Sequence, residues 1–449
     1  MNRDRSVLVI GAGIAGLTAA SKLAASGLPV TVVEARDRIG GRIFTKHDPV
    51  LHAPIELGAE FIHGKPPEIW DLLHHAGTKI TEVEGQSWCV TNRQLRPCDF
   101  FSHMESILDQ MDDSSPDESF LTFLQRKFPN STNDPALQEA KQRAVGYITG
   151  FNAADPGLVG VHWLVQGMRA EESIEGDRAF RAKDGYESLL EIFRREMALS
   201  GVTIRTGMVV GSVKWQPGHT EITAHNAQGA LTLAAPRVLI TLPLAVLKAP
   251  AGEPGAVHFS PALPRQKIEA LAKLEMGKVI RVVLRFRHRF WDAISPPADK
   301  TLTLSDMGFL LSQDEYFPTW WTTMPEKLPI ITGWAPFRSA EHLSGQSQAF
   351  VVQRSLLTVC TLLNVDPKKL EDELDAAYFH DWQADPFSRG AYSYGKVGSD
   401  GAQQALASPL ENTLFFAGEA TDTSGNNGTV HGAMASGYRA AEEILQGLP

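Results

Sequence analysis

The stretch Val7-Leu8-Val9-Ile10-Gly11-Ala12-Gly13-Ile14-Ala15-Gly16 decides the fold. Its first four residues are apolar and mostly β-branched, which predicts a strand buried on both faces of a parallel sheet. From Ile14 to Ser26 the pattern turns helical, rich in Ala and Leu, and Gly27 stands where a left-handed C-cap belongs. A second apolar strand, Pro29-Val30-Thr31-Val32-Val33, ends in Glu34 and completes a βαβ unit. Each glycine has a physical task. Gly11 permits the tight turn, Gly13 clears space for backbone to approach a pyrophosphate, and Gly16 lets helix pack on strand. The helix N-terminus offers free N–H groups and partial positive charge to phosphates. Glu34, 23 residues after Gly11, suits both ribose hydroxyls and disfavours a 2′-phosphate. A dinucleotide is implied, and the glycines alone do not choose between NAD and FAD.

Next comes Ala35-Arg36-Asp37-Arg38-Ile39-Gly40-Gly41-Arg42, a basic turn that can bring Arg42 onto the pyrophosphate as a bidentate partner. From about Pro66 to Ala182 the pattern becomes mostly helical, broken by polar stretches at Asp112 to Glu118 and Asn130 to Asp134. Short strands return over 203 to 247, ending in the buried run Val238-Leu239-Ile240-Thr241-Leu242-Pro243. Residues 263 to 275 read as helix, Lys278 to Phe290 as a half-buried strand, Thr413 to Ala417 as a buried strand, and Thr429 to Gln446 as a last helix.

The 449 residues carry a formal charge of −10, which leaves no broad positive field for nucleic acid. No apolar run approaches the roughly 18 to 20 residues that span a bilayer, and no signal-peptide pattern precedes the first strand. Three cysteines, Cys89, Cys98 and Cys360, do not form a disulfide framework of the secreted kind. A soluble protein of a reducing cytoplasm is the expectation. No His or Cys spacing calls for a metal.

Val9 to Gly16, Glu34 to Arg42, Glu56-Leu57-Gly58-Ala59-Glu60-Phe61-Ile62-His63-Gly64, Thr241-Leu242-Pro243, Asp385 to Tyr394, and Phe416-Ala417-Gly418-Glu419 through Thr429-Val430-His431-Gly432-Ala433 together resemble the flavin-containing amine oxidase family. This family includes monoamine oxidases, polyamine oxidases and lysine-specific histone demethylases. The resemblance implies an α/β fold in which a Rossmann-like FAD-binding domain (1–72, 183–262 and 389–449) is interleaved with an α+β substrate-binding domain (73–182 and 263–388). It implies FAD with its adenosine near Glu34, Ala35 and Arg36, and its pyrophosphate near Gly11, Gly13, Ile14, Ala15, Gly16, Gly41 and Arg42. Val210 matches the residue whose backbone meets the adenine. Gly58, Ala59 and Glu60 match the loop beside the flavin ring, Glu419 with Gly418 the ribityl and phosphate contact, and Thr241, Thr429, Val430 and Ala433 further cofactor contacts. A final helix starting near Thr429 would stabilise negative charge on a reduced flavin.

Monoamine oxidases bond the flavin to a cysteine just before the tyrosine of the Gly-x-Tyr segment. Ala391 stands there, so the resemblance implies noncovalent FAD. Tyr392 matches one wall of the family's aromatic cage and Thr429 the other, while Trp382 matches a tryptophan near the flavin and also reads as plain core. His63 falls where polyamine oxidases place a histidine or glutamate that positions substrate, and His431 reads as structural. Counting ten residues back from Trp291 reaches Arg281, where many members carry a lysine that holds a water near flavin N5. Guanidinium is planar and permanently charged, so the exchange is not conservative. The alternative is that Arg281, Arg285, Arg287 and Arg289 share one solvated face of the strand.

The implied reaction is oxidation of a mono- or polyamine by hydride transfer to N5, giving imine and then aldehyde, with reoxidation by oxygen to hydrogen peroxide. A pocket carboxylate such as Glu60, or water, would take the ammonium proton. Alternatives are an amino-acid oxidase or dehydrogenase using another electron acceptor, and a noncatalytic flavin-binding protein. A histone demethylase is disfavoured, because neither a coiled-coil insertion nor a chromatin-binding domain is evident.

Overall fold

The computed structural model describes residues 5–99, 104–129 and 134–448. The opening stretch folds as its pattern dictates. Val7–Ile10 is a strand with all four residues buried, and it is the middle strand of a five-stranded sheet. The spatial order is Thr203–Arg205, Val30–Val33, Val7–Ile10, Arg237–Ile240 and Leu414–Phe416, with every neighbouring pair parallel. The helix Ile14–Ala25 ends one residue earlier than expected, with Ser26 as cap and Gly27 at φ +81°. A Cβ on Gly16 would lie 2.1 Å from the Gly11 carbonyl oxygen, and one on Gly437 would lie 2.4 Å from that of Ala15. Those two approaches let the first helix press against the turn below it and the closing helix Val430–Gln446 beside it.

A larger sheet has seven strands, in the order Leu374–Asp381, Val279–Phe286, Ile330–Pro336, Thr319–Thr322, Met307–Leu311, Gln86–Thr91 and Gln94–Pro97. One expectation is corrected here. Val279–Phe286 is buried on both faces, not half-buried. One face meets the cluster that includes Val351, Val359 and Leu363 of the helix Gln348–Leu363, and the other meets the segment from Asp48 to Glu60. Arg281 and Arg285 are therefore 3% and 6% exposed, and of the four arginines only Arg287 is on the surface. The region 66–182 is mostly helical, with strands among the helices. It contributes strands at Ile80–Glu82, Gln86–Thr91, Gln94–Pro97 and Ala179–Ala182, and the hairpin 86–97 joins the large sheet. Of the break expected at 130 to 134, residues 130–133 lie outside the described ones, and Asp134 caps the helix Pro135–Gly150.

The cysteines bring a second correction. Cys89 and Cys98 are bonded, with Cα atoms 5.7 Å apart across the 86–97 hairpin, and Cys360 is free and buried. Antiparallel pairing brings the two thiols together whatever the total number of cysteines. The argument from sparse cysteine to a reducing cytoplasm therefore loses its footing. Among the described residues no helix is long and apolar enough to cross a membrane, and no group of three or more His, Cys, Asp or Glu could hold a metal ion.

Candidate functional site

A continuous cavity of about 1320 Å³ runs from the first glycine turn, past the Gly58 loop and the start of the last helix, into the helical region. Gly11, Gly13, Ile14, Ala15, Glu34, Ala35, Arg36, Gly41, Arg42, Gly58, Ala59, Glu60, His63, Val210, Thr241, Arg281, Trp382, Tyr392, Gly418, Glu419, Thr429, Val430 and Ala433 all line it. Gly16 does not, because it is packed beneath the turn.

The glycine end is shaped to take a phosphate. Gly13 is the N-cap of the first helix and no side chain caps it, so its first amides are left for a ligand. A Cβ on Gly13 would meet no protein atom within 4 Å, which is the open side of the turn. Buried Glu34 has a structural task of its own. Its oxygens accept from Ala12 N at 2.7 Å and Arg36 N at 2.9 Å, which pins the turn. Arg36 in turn donates to Asp385 at 2.8 Å. Arg42 Nη1 donates to Glu419 Oε1 at 2.9 Å and Ala391 O at 2.8 Å, and the other Glu419 oxygen accepts from Gly428 N at 3.0 Å. Thr429 accepts from Gly432 N at 3.0 Å and caps the helix Val430–Gln446. An uncapped helix start, an open glycine turn and a nearby guanidinium fit a pyrophosphate-bearing dinucleotide.

The far end is an aromatic chamber built around one carboxylate. Arg281 Nη1 donates to Glu56 O at 2.9 Å and Gly58 O at 2.6 Å, and Nη2 pairs with Glu60. Its guanidinium carbon lies 5.1 Å from the Trp321 ring centre and 6.0 Å from that of Trp334. Arg181 grips the other oxygen of Glu60 at 2.7 Å, and Trp321 Nε1 donates to the same carboxylate at 3.1 Å. Burial alone would raise the Glu60 pKa, but Arg181 and Arg281 outweigh it and hold the group below the usual carboxylate range. Glu60 is thus a fixed anion already saturated with donors. Its expected service as a proton acceptor is corrected on that ground.

His63 and His431 both line this chamber, and burial pushes each down to about 4, with His63 adding to the effect on His431. Both imidazoles are neutral at ordinary pH. His431, read as structural, does bond Asn426 at 3.1 Å, but it also faces the cavity. The Tyr392 hydroxyl donates to Phe151 O at 2.6 Å, and Phe151 stacks on Tyr147 at 5.1 Å. Trp382 is both wall and core: it lines the cavity, is 4% exposed and donates to Leu57 O at 2.7 Å. Sequence reasoning missed Arg181, Trp321, Trp334, Tyr147 and Glu171, which belong to no motif. Only Arg181 left a trace, since Phe180 and Ala182 are buried in Ala179–Ala182 and alternation turns Arg181 to the other face.

Against known proteins, the chain matches the sequence model of the family described as flavin containing amine oxidoreductase over residues 14–96 and 94–445. Probable polyamine oxidase 4 of Arabidopsis thaliana is 26% identical, over 98% of this chain and 87% of that protein. Lysine-specific histone demethylase 2 of Homo sapiens is 27% identical, over 98% of this chain but 53% of that protein. Among solved structures, wild-type putrescine oxidase bound to putrescine superposes with a TM-score of 0.79 at 21% identity, covering 98% of this chain and 99% of the other.

Proposed function

The chain belongs to the flavin-containing amine oxidoreductases, and on that premise we propose that it oxidises a small amine to an imine in the aromatic chamber, water then giving the aldehyde. The observation that carries this reading is the single cavity joining an uncapped, glycine-walled helix start to a chamber of Trp321, Trp334 and Tyr392. Bound FAD would supply the two-electron redox chemistry between the amine carbon and oxygen, which would be released as hydrogen peroxide. None of the three cysteines lines the cavity and Ala391 precedes Tyr392, so the cofactor is held without a covalent bond.

The chain's own residues bind, orient and polarise. Segments 1–72, 183–262 and 389–449 hold the cofactor, and segments 73–182 and 263–388 shape the amine chamber. Gly11 to Ala15 and Arg42 take the pyrophosphate, Glu34 and Arg36 the adenosine side, and Val210 the adenine through its backbone. The helix start at Thr429 and Val430 directs partial positive charge into the cavity, the sign that favours an electron-rich ring. Tyr392 and the tryptophans exclude water and orient the amine, and His63 offers it a neutral nitrogen. Arg281 has a buried Nε–H without a partner among the described residues. This donor stands in for the family's lysine in holding a water and steadying the charge that develops on reduced oxygen. The ammonium proton leaves to water, because Glu60 is saturated and both histidines are too weakly basic.

The test is anaerobic mixing of the yellow holoenzyme with a panel of amines. Bleaching of the oxidised flavin band, and recovery with peroxide release when oxygen is admitted, is the expected result. An unchanged spectrum across the panel would sink the catalytic reading, and bleaching without recovery would sink the oxygen step.

A further inference from the structure

The hairpin at the edge of the large sheet turns one face to the core and the other toward the cavity. Its strand Gln86–Thr91 runs parallel to Met307–Leu311, with Ser87 beside Phe309 and Cys89 beside Leu311, and pairs on its other side with the edge strand Gln94–Pro97. Trp88 and Leu95 are buried in the core. Alternation turns Ser87 and Cys89 to the opposite face, and there Ser87, Phe309 and Leu311 line the cavity. The Cys89–Cys98 bond therefore stands beside the cavity wall without forming part of it. Past the strand's end at Pro97, Cys98 N donates to Ser87 O at 3.0 Å. Further along the chain, Met104, Glu105 and Leu108 line the same cavity. One covalent bond thus fastens a strand of the wall at the point where the chain leaves for the next piece of it.

The bond is placed for exchange. Cys89 is buried and Cys98 is half-buried, so Cys98 is the partner nearer to a reagent in solvent. The two cysteines are nine positions apart, a short loop whose opening releases little chain entropy. Trp88 and Leu95 keep their core contacts either way, so breaking the bond loosens the hairpin locally and leaves the fold in place.

We propose that Cys89–Cys98 is a reversible thiol-modification site that sets the affinity of the cavity for its amine, high when bonded and lower when a dithiol has reduced it. In reduction a thiolate of the dithiol attacks Cys98 Sγ, the S–S bond breaks, and Cys89 leaves as a thiolate that takes up a proton. The reagent's second thiol then displaces Cys98, and the dithiol ends as its own disulfide. In the return step the Cys98 thiolate attacks hydrogen peroxide, whose O–O bond breaks to give a sulfenic acid and water. Cys89 displaces the remaining oxygen as a second water, so two thiols and one peroxide become one disulfide and two waters. The peroxide is the product of the amine oxidation proposed above, so the return step rests on that reading and the reductive step does not. Turnover then keeps the wall fastened against a reducing medium.

The experiment treats the FAD-loaded enzyme with dithiothreitol under argon and maps the opened thiols by alkylation and peptide mass. Cys89 and Cys98 should label together in the folded protein, while buried Cys360 should not. Hydrogen exchange should rise over 86–97 and 104–111 and stay level over the first glycine turn. The Kd for the amine, read from anaerobic flavin bleaching, should rise about three- to tenfold. The limiting bleaching rate should change by less than about twofold, because the site acts on binding. The double variant Cys89→Ser with Cys98→Ser should keep the raised Kd and ignore the reagent; should it fail to fold, reduced and reoxidised wild type read the same difference. Labelling only in denaturant, or a reduced enzyme with unchanged Kd, overturns the proposal. Amine with oxygen should close the bond again and catalase should prevent it; closure indifferent to catalase overturns the return step. Failure of every amine to bleach the flavin is a distinct pattern that removes the oxidation reading, and labelling, hydrogen exchange and closure by added peroxide then decide the thiol site.

Discussion

Glu60 and Glu171 line one cavity and live in opposite surroundings. Glu60 sits between two guanidiniums and an indole N–H, and is held ionised below its ordinary range. Glu171 has burial and one tyrosine hydroxyl, and is pushed up to about 7. Burial raises both groups, so the difference comes from Arg181 and Arg281. A carboxylate locked by arginines is architecture: it fixes the Arg281 guanidinium against the Gly58 loop. A carboxylate with no cation among the described residues is governed by its burial, and it is sensitive to what enters the cavity. Position in the cavity does not decide the role of an acid; its partners do.

The largest expected effect tests the locked end. Glu60→Gln leaves the buried Arg281 and the half-buried Arg181 without their shared anion, and breaking a buried pair costs about 3–5 kcal/mol. Chemical denaturation of the flavin-loaded protein should show that loss. A change below about 1 kcal/mol would mean that Glu60 is no keystone. Arg281→Lys comes next. Lysine keeps the charge but cannot serve Glu56 O, Gly58 O and Glu60 with one rigid fork, so a stability cost of about 1–3 kcal/mol is expected. Stopped-flow kinetics should show reoxidation by oxygen changing more than reduction by the amine. Equal changes in both half-reactions would remove Arg281 from the oxygen step.

The ease with which each end could be read from sequence differs in the same way. The glycine turn and its βαβ unit were legible because their parts are local: three glycines, one helix start and one acid follow in order from Val7 to Glu34. Arg281 could be found by counting from Trp291, yet its burial could not, since strand alternation says which residues share a face and not what covers that face. The covering came from Asp48 to Glu60, more than two hundred residues away in the chain. Trp321 and Trp334 meet through the pairing of neighbouring strands in the large sheet, and Arg181 reaches them from a separate three-stranded sheet. The Cys89–Cys98 bond escaped because a cysteine count carries no register, whereas the hairpin turn at Asn92 and Arg93, both at positive φ, supplies it.

At the open end the expected effects are smaller and depend on pH. Glu171 binds its proton more tightly folded than unfolded. Its contribution to stability is complete below its unfolded pKa of about 4.3, and is lost as pH rises toward its folded value of about 7. Glu171→Gln removes that loss. The variant should therefore gain on wild type by about 1 kcal/mol between pH 4.5 and pH 7.5, a figure reduced for the solvent that reaches a half-buried carboxyl. Thermal melts across this range read it, and parallel curves for the two proteins would show that the group does not titrate there.

The smallest expected effect separates the two influences on Glu171, burial and the Tyr147 hydroxyl. Tyr147→Phe deletes the hydroxyl and keeps the ring that stacks on Phe151 at 5.1 Å, so packing is conserved and one hydrogen bond is lost. The stability cost should be about 0.5–1.5 kcal/mol. Because that hydroxyl favours the ionised carboxylate, its removal should move the Glu171 titration upward. Difference infrared spectroscopy of the carboxyl band, comparing Tyr147→Phe with wild type and using Glu171→Gln to assign the band, follows the midpoint directly. A midpoint that stays put in the variant would mean that burial alone sets it, and Tyr147 would then be a wall of the chamber and nothing more.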